Sequence, residues 1–220
     1  MIRLYALPLS VYCTKVRIVL RIKGIPYEES PPPGGHYSSA DYQARMPPGT
    51  IPSIEHDGFK LFDSEAIVEY LEEVYPVPSL RAEDPRQRAR QRAISQFHNT
   101  RVEPAVRVLF PLVRQGSETP GEDHHGDLLD GFFWQLEKLE RIIDPAPYVG
   151  GAKPCLADCA FPATLRMGQD ILAYLGADVS FNPRLDAWLG TLEGHAVIGE
   201  EVAANRAAVG DWLKGFRRTG

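Results

Sequence analysis

TIPSIEHDGFKLFDSEAI, residues 50–67, carries the densest structural signal in the chain. Two four-residue runs, Ser53–His56 and Phe59–Phe62, flank Asp57-Gly58. Asp-Gly is a strong two-residue hairpin signal, because both central positions of the favoured turn need a positive φ, so two antiparallel strands are expected. Asp63-Ser64 then opens a helix expected over Ser64–Tyr75, which Pro76 and Pro78 stop.

Upstream, residues 2–6 read as a short strand, and Val16, Val19, Leu20 and Ile22 take helical spacing up to Gly24. A second strand is expected at Ile25-Pro26-Tyr27-Glu28. The loop Pro31-Pro32-Pro33-Gly34-Gly35 leads to a short polar helix around Ser39 to Arg45. The order β-α-β-α-β-β-α closes one α/β layer structure, and the strand reached through the first helix should run parallel to its predecessor. Downstream, Val102, Val106, Leu109 and Val113, then Leu129, Phe132 or Phe133, Leu136 and Leu139, recur at three-to-four spacing. Later helices are expected at Leu156–Leu175, Pro183–Leu192 and Glu200–Phe216. The fold class is α/β plus all-α: an N-terminal domain over residues 1–77, a linker of about 78–84, and a C-terminal helical bundle over 85–220.

Composition narrows the function. A 44% hydrophobic, 24% charged chain with net charge −5 has neither the bias of disorder nor the basic surface that binds nucleic acid. Arg81, Arg86, Arg88, Arg90 and Arg92 form a local basic run that fits a solvated helix face. No apolar run reaches the ~20 residues of a membrane span. Met-Ile-Arg-Leu-Tyr enters a strand without a secretory signal, so a cytoplasmic location is expected. Cys13, Cys155 and Cys159 are an odd set, read as buried thiols rather than disulfides. Cys155 and Cys159, four apart, lack the partners of a metal site, and no metal is expected.

Four features of the first domain could carry chemistry. Ser10 stands where a strand hands over to a helix, beside free N–H groups that favour a thiolate; as a plain N-cap it needs no chemistry. Ile51-Pro52 could be cis and turn the Ile51 backbone toward a peptide ligand, or be a trans edge proline. Ser64 and the helix N-terminus could hold a carboxylate while Asp63 pairs with an ammonium, or Asp63 could simply cap. His36 or its neighbour Tyr37 could reach a second carboxylate, or face solvent.

Together these residues resemble a known family. Ser10 with Lys15-Val16-Arg17-Ile18, Lys23-Gly24-Ile25-Pro26-Tyr27-Glu28, Pro47-Pro48-Gly49-Thr50-Ile51-Pro52 and Asp63-Ser64-Glu65-Ala66-Ile67 is similar to the cytosolic glutathione transferases. The likeness continues through Asp84-Pro85-Arg86-Gln87-Arg88-Ala89 into Tyr148-Val149-Gly150-Gly151 and Leu156-Ala157-Asp158, so it covers essentially the whole chain. It implies a thioredoxin-like N-terminal domain, a cis Ile51-Pro52 bond, Ile51 pairing with the cysteinyl backbone of glutathione, and Asp63 and Ser64 on its γ-glutamyl end. Ser10 falls at the catalytic serine of zeta-, tau- and theta-like classes. His36 or Tyr37 falls at the glycine-carboxylate contact. Gly34-Gly35-His36-Tyr37 looks zeta-like, yet Ser10-Val11-Tyr12 departs from that class's Ser-Ser-Cys. Cys155 stands where the family has Ser or Thr as N-cap. Tyr5 lies within a strand, where packing is its expected role.

The implied activity is glutathione transfer in detoxification, with glutathione as cosubstrate, no permanently bound cofactor, and a small electrophile placed near Tyr12, His98, Arg101 and Arg107. The implied assembly is a homodimer, with Phe59 as the better interface candidate and core packing as the alternative for Phe62. Three rivals are a glutathione-dependent isomerase of a maleyl-type diacid, a noncatalytic binding or regulatory protein, and a thiol oxidoreductase using Cys13. Serine rather than cysteine at position 10 cannot form a mixed disulfide, which favours addition, substitution or isomerisation over thiol exchange.

Overall fold

The computed structural model describes residues 1–115, 122–177 and 180–216. The chain divides into two compact units, Met1–Leu80 and Arg81–Gly220. The first runs β1 (Ile2–Tyr5), α1 (Val11–Ile22), β2 (Tyr27–Ser30), α2 (Ala40–Arg45), β3 (Ser53–His56), β4 (Phe59–Phe62) and α3 (Ser64–Val74). The sheet order is β2-β1-β3-β4; β1 and β2 are parallel, and β3 is antiparallel to both neighbours. The hairpin occupies the expected residues, with Asp57 at φ 49 and Gly58 at φ 88. β2 starts two residues later than expected. Gly24 takes φ 64, so the Ile25 N–H closes the end of α1 on the Leu20 carbonyl at 2.9 Å, and Pro26 has no N–H for a ladder.

The two sheet faces differ because strand side chains alternate. One face carries Ile2, Leu4 and Ile54, all buried, on the side of α1 and α3, whose stripe of Val16, Val19, Leu20, Ile67, Val68 and Leu71 is fully buried. The other face carries Tyr5, which meets Tyr42 of α2 edge-on at 5.6 Å in a cluster with Met46 and Ile51. Tyr5 is thus a packing residue. Phe62 lies on that same face but on edge strand β4, outside the cluster, and is 46% exposed. Core packing does not explain it.

The second unit contains α4 (Pro85–Phe97), α5 (Glu103–Arg107), α6 (Phe110–Gln115), α7 (Glu122–Ile142), α8 (Leu156–Tyr174), α9 (Pro183–Gly194) and α10 (Ala196–Lys214). Its described residues contribute no strand, only an isolated bridge between Tyr148 and Gly151. Leu129, expected on the apolar stripe of α7, is half-buried, and Phe132, Leu136 and Leu139 are buried. α8 is the central helix, packed on α4, α5, α9 and α10. Asp158 anchors its start from a fully buried position, accepting the N–H groups of Val149, Gly150 and Cys155 at 2.9 to 3.0 Å. The loop comes that close because residue 150 is glycine: a Cβ there would lie 2.3 Å from the Lys153 carbonyl.

Candidate functional site

The strand register gathers the expected site residues. Ser30, Tyr5, Ser53 and Phe62 form one cross-strand row, the last at that end of the sheet. Ser10 lies in the chain leaving β1 there, His36 in the chain leaving β2, Ile51 in the chain entering β3, and Asp63-Ser64 in the chain leaving β4. All of them therefore emerge from one end.

Ser10 is half-buried and held by four hydrogen bonds. Its N–H donates to the Leu7 carbonyl at 3.2 Å, its carbonyl accepts the Thr14 N–H at 3.0 Å and the Thr14 hydroxyl at 3.2 Å, and its Oγ accepts the Cys13 N–H at 3.3 Å. Capping uses a lone pair of Oγ and leaves the hydroxyl proton to be donated. The cap and the thiolate donor are thus compatible roles for one side chain. Cys13 is fully buried; burial pushes its thiol up, with smaller opposing effects from the Ser10 side chain and the Leu7 backbone. A thiol with no exposed surface is out of reach of a substrate disulfide, which weighs against a thiol oxidoreductase working through Cys13.

The Ile51-Pro52 bond is cis. The Tyr42 hydroxyl donates to the Thr50 carbonyl at 2.8 Å and lies 2.6 Å from the Ser53 Oγ, so α2 clamps the entry to β3. Neither backbone group of Ile51 has a protein partner among the described residues. Asp63, at φ 72, caps α3 through Oδ1, accepting the Glu65 N–H at 2.9 Å and the Ala66 N–H at 3.4 Å. Ser64 is buried, and its hydroxyl has no partner among the described residues. His36 and Tyr37 are exposed and their rings lie 4.1 Å apart. His36 Nδ1 accepts the Ser38 N–H at 3.1 Å, so the neutral ring carries its proton on Nε2, a donor.

The two capped helices run side by side in the same direction. Lys15 in the first turns of α1 meets Glu65 at the start of α3, and Lys23 past the end of α1 meets Glu72 two turns along α3 at 2.6 Å. Parallel neighbours put two N-terminal, partly positive ends at one place, a setting suited to a thiolate and a carboxylate of one ligand.

The four residues expected near an electrophile are less uniform. Tyr12 is half-buried on the first turn of α1. His98 is a correction: fully buried in the helical unit, it bonds Thr164 Oγ1 through Nε2 at 2.7 Å and Asn99 through Nδ1 at 2.9 Å, against the Phe161 ring. It is a core residue there, with no face for a substrate. Arg101 sits in a π-type turn, His98–Val102, and donates to the Thr100 carbonyl at 2.9 Å. Pro104 lacks the N–H that this carbonyl would receive in an α-helix, and the Arg101 guanidinium donates there. Arg107 is exposed and ion-paired with Glu103. A shallow groove of about 740 Å³ runs along β2 to the same end of the sheet, lined by Arg3, Tyr5, Ser30, Gly35 and Arg45 among others, and stops short of His36. Thr14, Lys15, Tyr42 and Glu65 are supporting residues that the sequence motifs did not single out for this role.

A four-stranded mixed sheet with a cis-proline entry strand, followed by an all-helical unit, defines a thioredoxin-like domain joined to a helical one. Residues 4–82 match the family model of the glutathione S-transferase N-terminal domain. The chain is 31% identical over 193 residues to a maleylacetoacetate isomerase of Pseudomonas aeruginosa, covering 84% of this chain and 85% of that protein. It is 31% identical over 191 residues to a probable glutathione S-transferase of Oryza sativa subsp. japonica, covering 81% and 78%. A maleylacetoacetate isomerase of Methylobacterium extorquens AM1, solved with malonate and GSH, superposes with TM-score 0.74 at 26% identity over 92% of this chain and 97% of that one. Human glutathione transferase theta-2 shares the fold, with TM-score 0.82 at 22% identity over 97% and 89%. The chain belongs to the glutathione S-transferase family, a family of enzymes.

Proposed function

We propose that this enzyme activates the thiol of glutathione for attack on a small electrophile, with Ser10 as the group that donates to the thiolate. The observation that carries the reading is the Ser10 geometry: its oxygen is engaged as an N-cap through a lone pair, a role that does not itself consume the hydroxyl proton. A free thiol with an ordinary pKa of about 8.5 is only a few per cent ionised at pH 7, and lowering it by about 2 units is worth roughly 2.7 kcal/mol. A hydroxyl donor at a helix N-terminus supplies that in part. Ile51 offers both backbone groups to the cysteinyl residue, Ser64 and the α3 N-terminus take the γ-glutamyl carboxylate, and Asp63 takes its ammonium through the oxygen not used in capping. Nε2–H of His36, or Tyr37 beside it, meets the glycine carboxylate.

In substitution, the sulfur pair forms the C–S bond and the leaving group departs with its bonding pair; in addition, the adjacent carbon takes a proton. A second reading is favoured by the maleylacetoacetate isomerase relatives. There the thiolate adds to a cis double bond, the new single bond rotates, and the thiolate is expelled, so glutathione is regenerated. That reading needs cations for a diacid; of the two arginines expected to serve, Arg101 donates to the Thr100 carbonyl and Arg107 is paired with Glu103.

The same proposal includes a homodimer, a detoxifying role and a cytoplasmic location; the support is the family, the exposed aromatics of β4 and three free, buried cysteines. Among the described residues no helix is long and apolar enough to cross a membrane. Steady-state rates with glutathione and an aryl halide, an organic hydroperoxide, a hydroxyethyl disulfide and a maleyl diacid test the assignment. Turnover of the halide supports conjugation, turnover of the diacid alone moves the assignment to isomerisation, and turnover of none removes it.

A further inference from the structure

Two ion pairs buried between α1 and α3 take no direct part in the chemistry above. At the far ends, the fully buried Lys23 and Glu72 side chains meet, and Lys23 also donates to the Tyr75 and Pro78 carbonyls at 2.7 Å, tying down the last segment of the unit. At the near ends, Lys15, with its side chain wholly buried, meets Glu65, whose side chain is 14% exposed. A buried pair is seldom worth more than hydrocarbon of equal volume, so stability alone does not account for placing one here.

The location supplies a reason. Lys15 follows the Thr14 whose N–H and hydroxyl both end on the Ser10 carbonyl. Glu65 follows Ser64, and its N–H is held by Asp63 Oδ1. The contact therefore runs from the cap of one helix to the cap of the other. Two parallel helices set their partly positive N-termini side by side, which is mutually repulsive, and an ion pair across them opposes that separation.

We propose that the Lys15–Glu65 pair is a positioning device that couples the two ends of the glutathione site, holding the Ser10 cap at a fixed separation from the Asp63-Ser64 cap so that one tripeptide engages both. The proposal rests on the site reading above. Lys15 and Glu65 touch no substrate; they set where the thiol lies relative to the anchored γ-glutamyl end. Small misplacements of reacting groups cost heavily, on the order of 100-fold per ångström.

The test uses the full chain and two readouts: the glutathione Kd by calorimetry, and the pKa of bound glutathione from its thiolate absorbance. Glu65→Gln, made on α3, should weaken glutathione binding roughly tenfold and also raise the bound-thiol pKa by about half a unit, although the thiol is served by α1. Lys15→Arg keeps the charge and should leave both near wild type. Glu72→Gln, the matched change at the far pair, should lower Tm and leave both readouts in place. If Glu65→Gln leaves either readout unchanged, or Glu72→Gln moves both as far, the coupling is overturned and the pair is a staple only. Should Glu65→Gln fail to fold, Lys15→Met/Glu65→Leu replaces the pair by hydrocarbon and carries the same expectations. Asp63→Asn separates the levels: unchanged glutathione binding there removes the site reading and this proposal with it, whereas weakened binding there with an unaffected Glu65→Gln removes the coupling alone.

Discussion

The Asp158 carboxylate accepts the Trp188 indole N–H at 3.0 Å in the buried interior of the helical unit, in addition to three backbone N–H groups. One carboxylate thus fixes the loop before α8, the start of α8 and the face of α9. The N-cap itself is Cys155, whose thiol is pushed up by burial and next by the nearby Asp158 charge. Sulfur is a weak acceptor for the α8 N–H groups, whereas a hydroxyl oxygen is a good one. Cys155→Ser should therefore stabilise the chain by about 0.5–1 kcal/mol, and Asp158→Ala should cost about 3 kcal/mol, since it orphans two buried donors, the Cys155 N–H and the Trp188 indole N–H, and two half-buried ones. Urea unfolding of both variants checks this; destabilisation by Cys155→Ser would mean that the cavity is shaped for sulfur.

Much of the first unit was legible in the sequence because its signals are local. Asp57-Gly58 placed both hairpin strands, and Asp63-Ser64 placed the start of α3. Local signals also misled at β2, where Gly24 carries the helix end one residue further and spends Ile25 on it. His98 was misread because its ring is sealed by Thr164, 66 residues away, a partner no spacing rule reveals. The Lys15–Glu65 pair is invisible for the same reason, at a separation of 50 residues. The π-type turn was half visible: Pro104 announces a lost N–H, but only coordinates show that Arg101 answers it.

Ser10→Ala should retain glutathione binding and lose activity. The loss expected is on the order of 100-fold in kcat/KM, with the apparent thiol pKa moving up toward its free value. Because Ser10 also caps α1, about 1 kcal/mol of stability goes with it. Unchanged turnover and an unchanged pKa in a folded variant would remove Ser10 from the mechanism.

Asp63 serves two roles that different substitutions separate. Asparagine tolerates φ 72 and keeps a capping oxygen, so Asp63→Asn should raise the glutathione KM roughly tenfold with little change in Tm. Asp63→Ala should raise KM and also lower Tm, since alanine neither caps nor favours a positive φ. Ser64→Ala should raise KM with a smaller change in kcat. A defect confined to kcat would contradict the anchoring role.

Alkali should weaken the fold through its thiols. The Cys13 and Cys155 thiols are both raised by burial above their reference of 9.0. Folding thus favours the protonated form; the stability this gives is whole below pH 9 and is lost as pH rises beyond it, when the unfolded chain ionises first. Tm should fall between pH 8.5 and 10.5, as roughly set by that reference, and fall less in Cys155→Ser. An aromatic disulfide reagent at pH 8 should find none of the three buried cysteines quickly in native protein and all three after denaturation.

The assembly prediction concerns edge strand β4. Phe59 is 50% exposed and Phe62 46%, an unusual display on a strand with one unpaired edge. Alternation along β4 puts them on opposite faces: Phe59 packs against Tyr70 of α3 at 5.3 Å between ring centres, while Phe62 pairs in register with Ser53 in the row that ends the sheet beside the site. A twofold partner that covers the Tyr70 side should bury Phe59 and spare Phe62. Light scattering at micromolar concentration should then report about twice the 24.5 kDa chain mass. Phe59→Asp, which places a charge in the contact, should shift the species toward monomer, and Phe62→Asp should do so less. A wild-type monomer would remove the dimer while leaving the site intact, because Ser10, Ile51, Asp63 and Ser64 belong to one chain. A stronger effect from Phe62→Asp would instead place the partner on the opposite sheet face, beside Ser53.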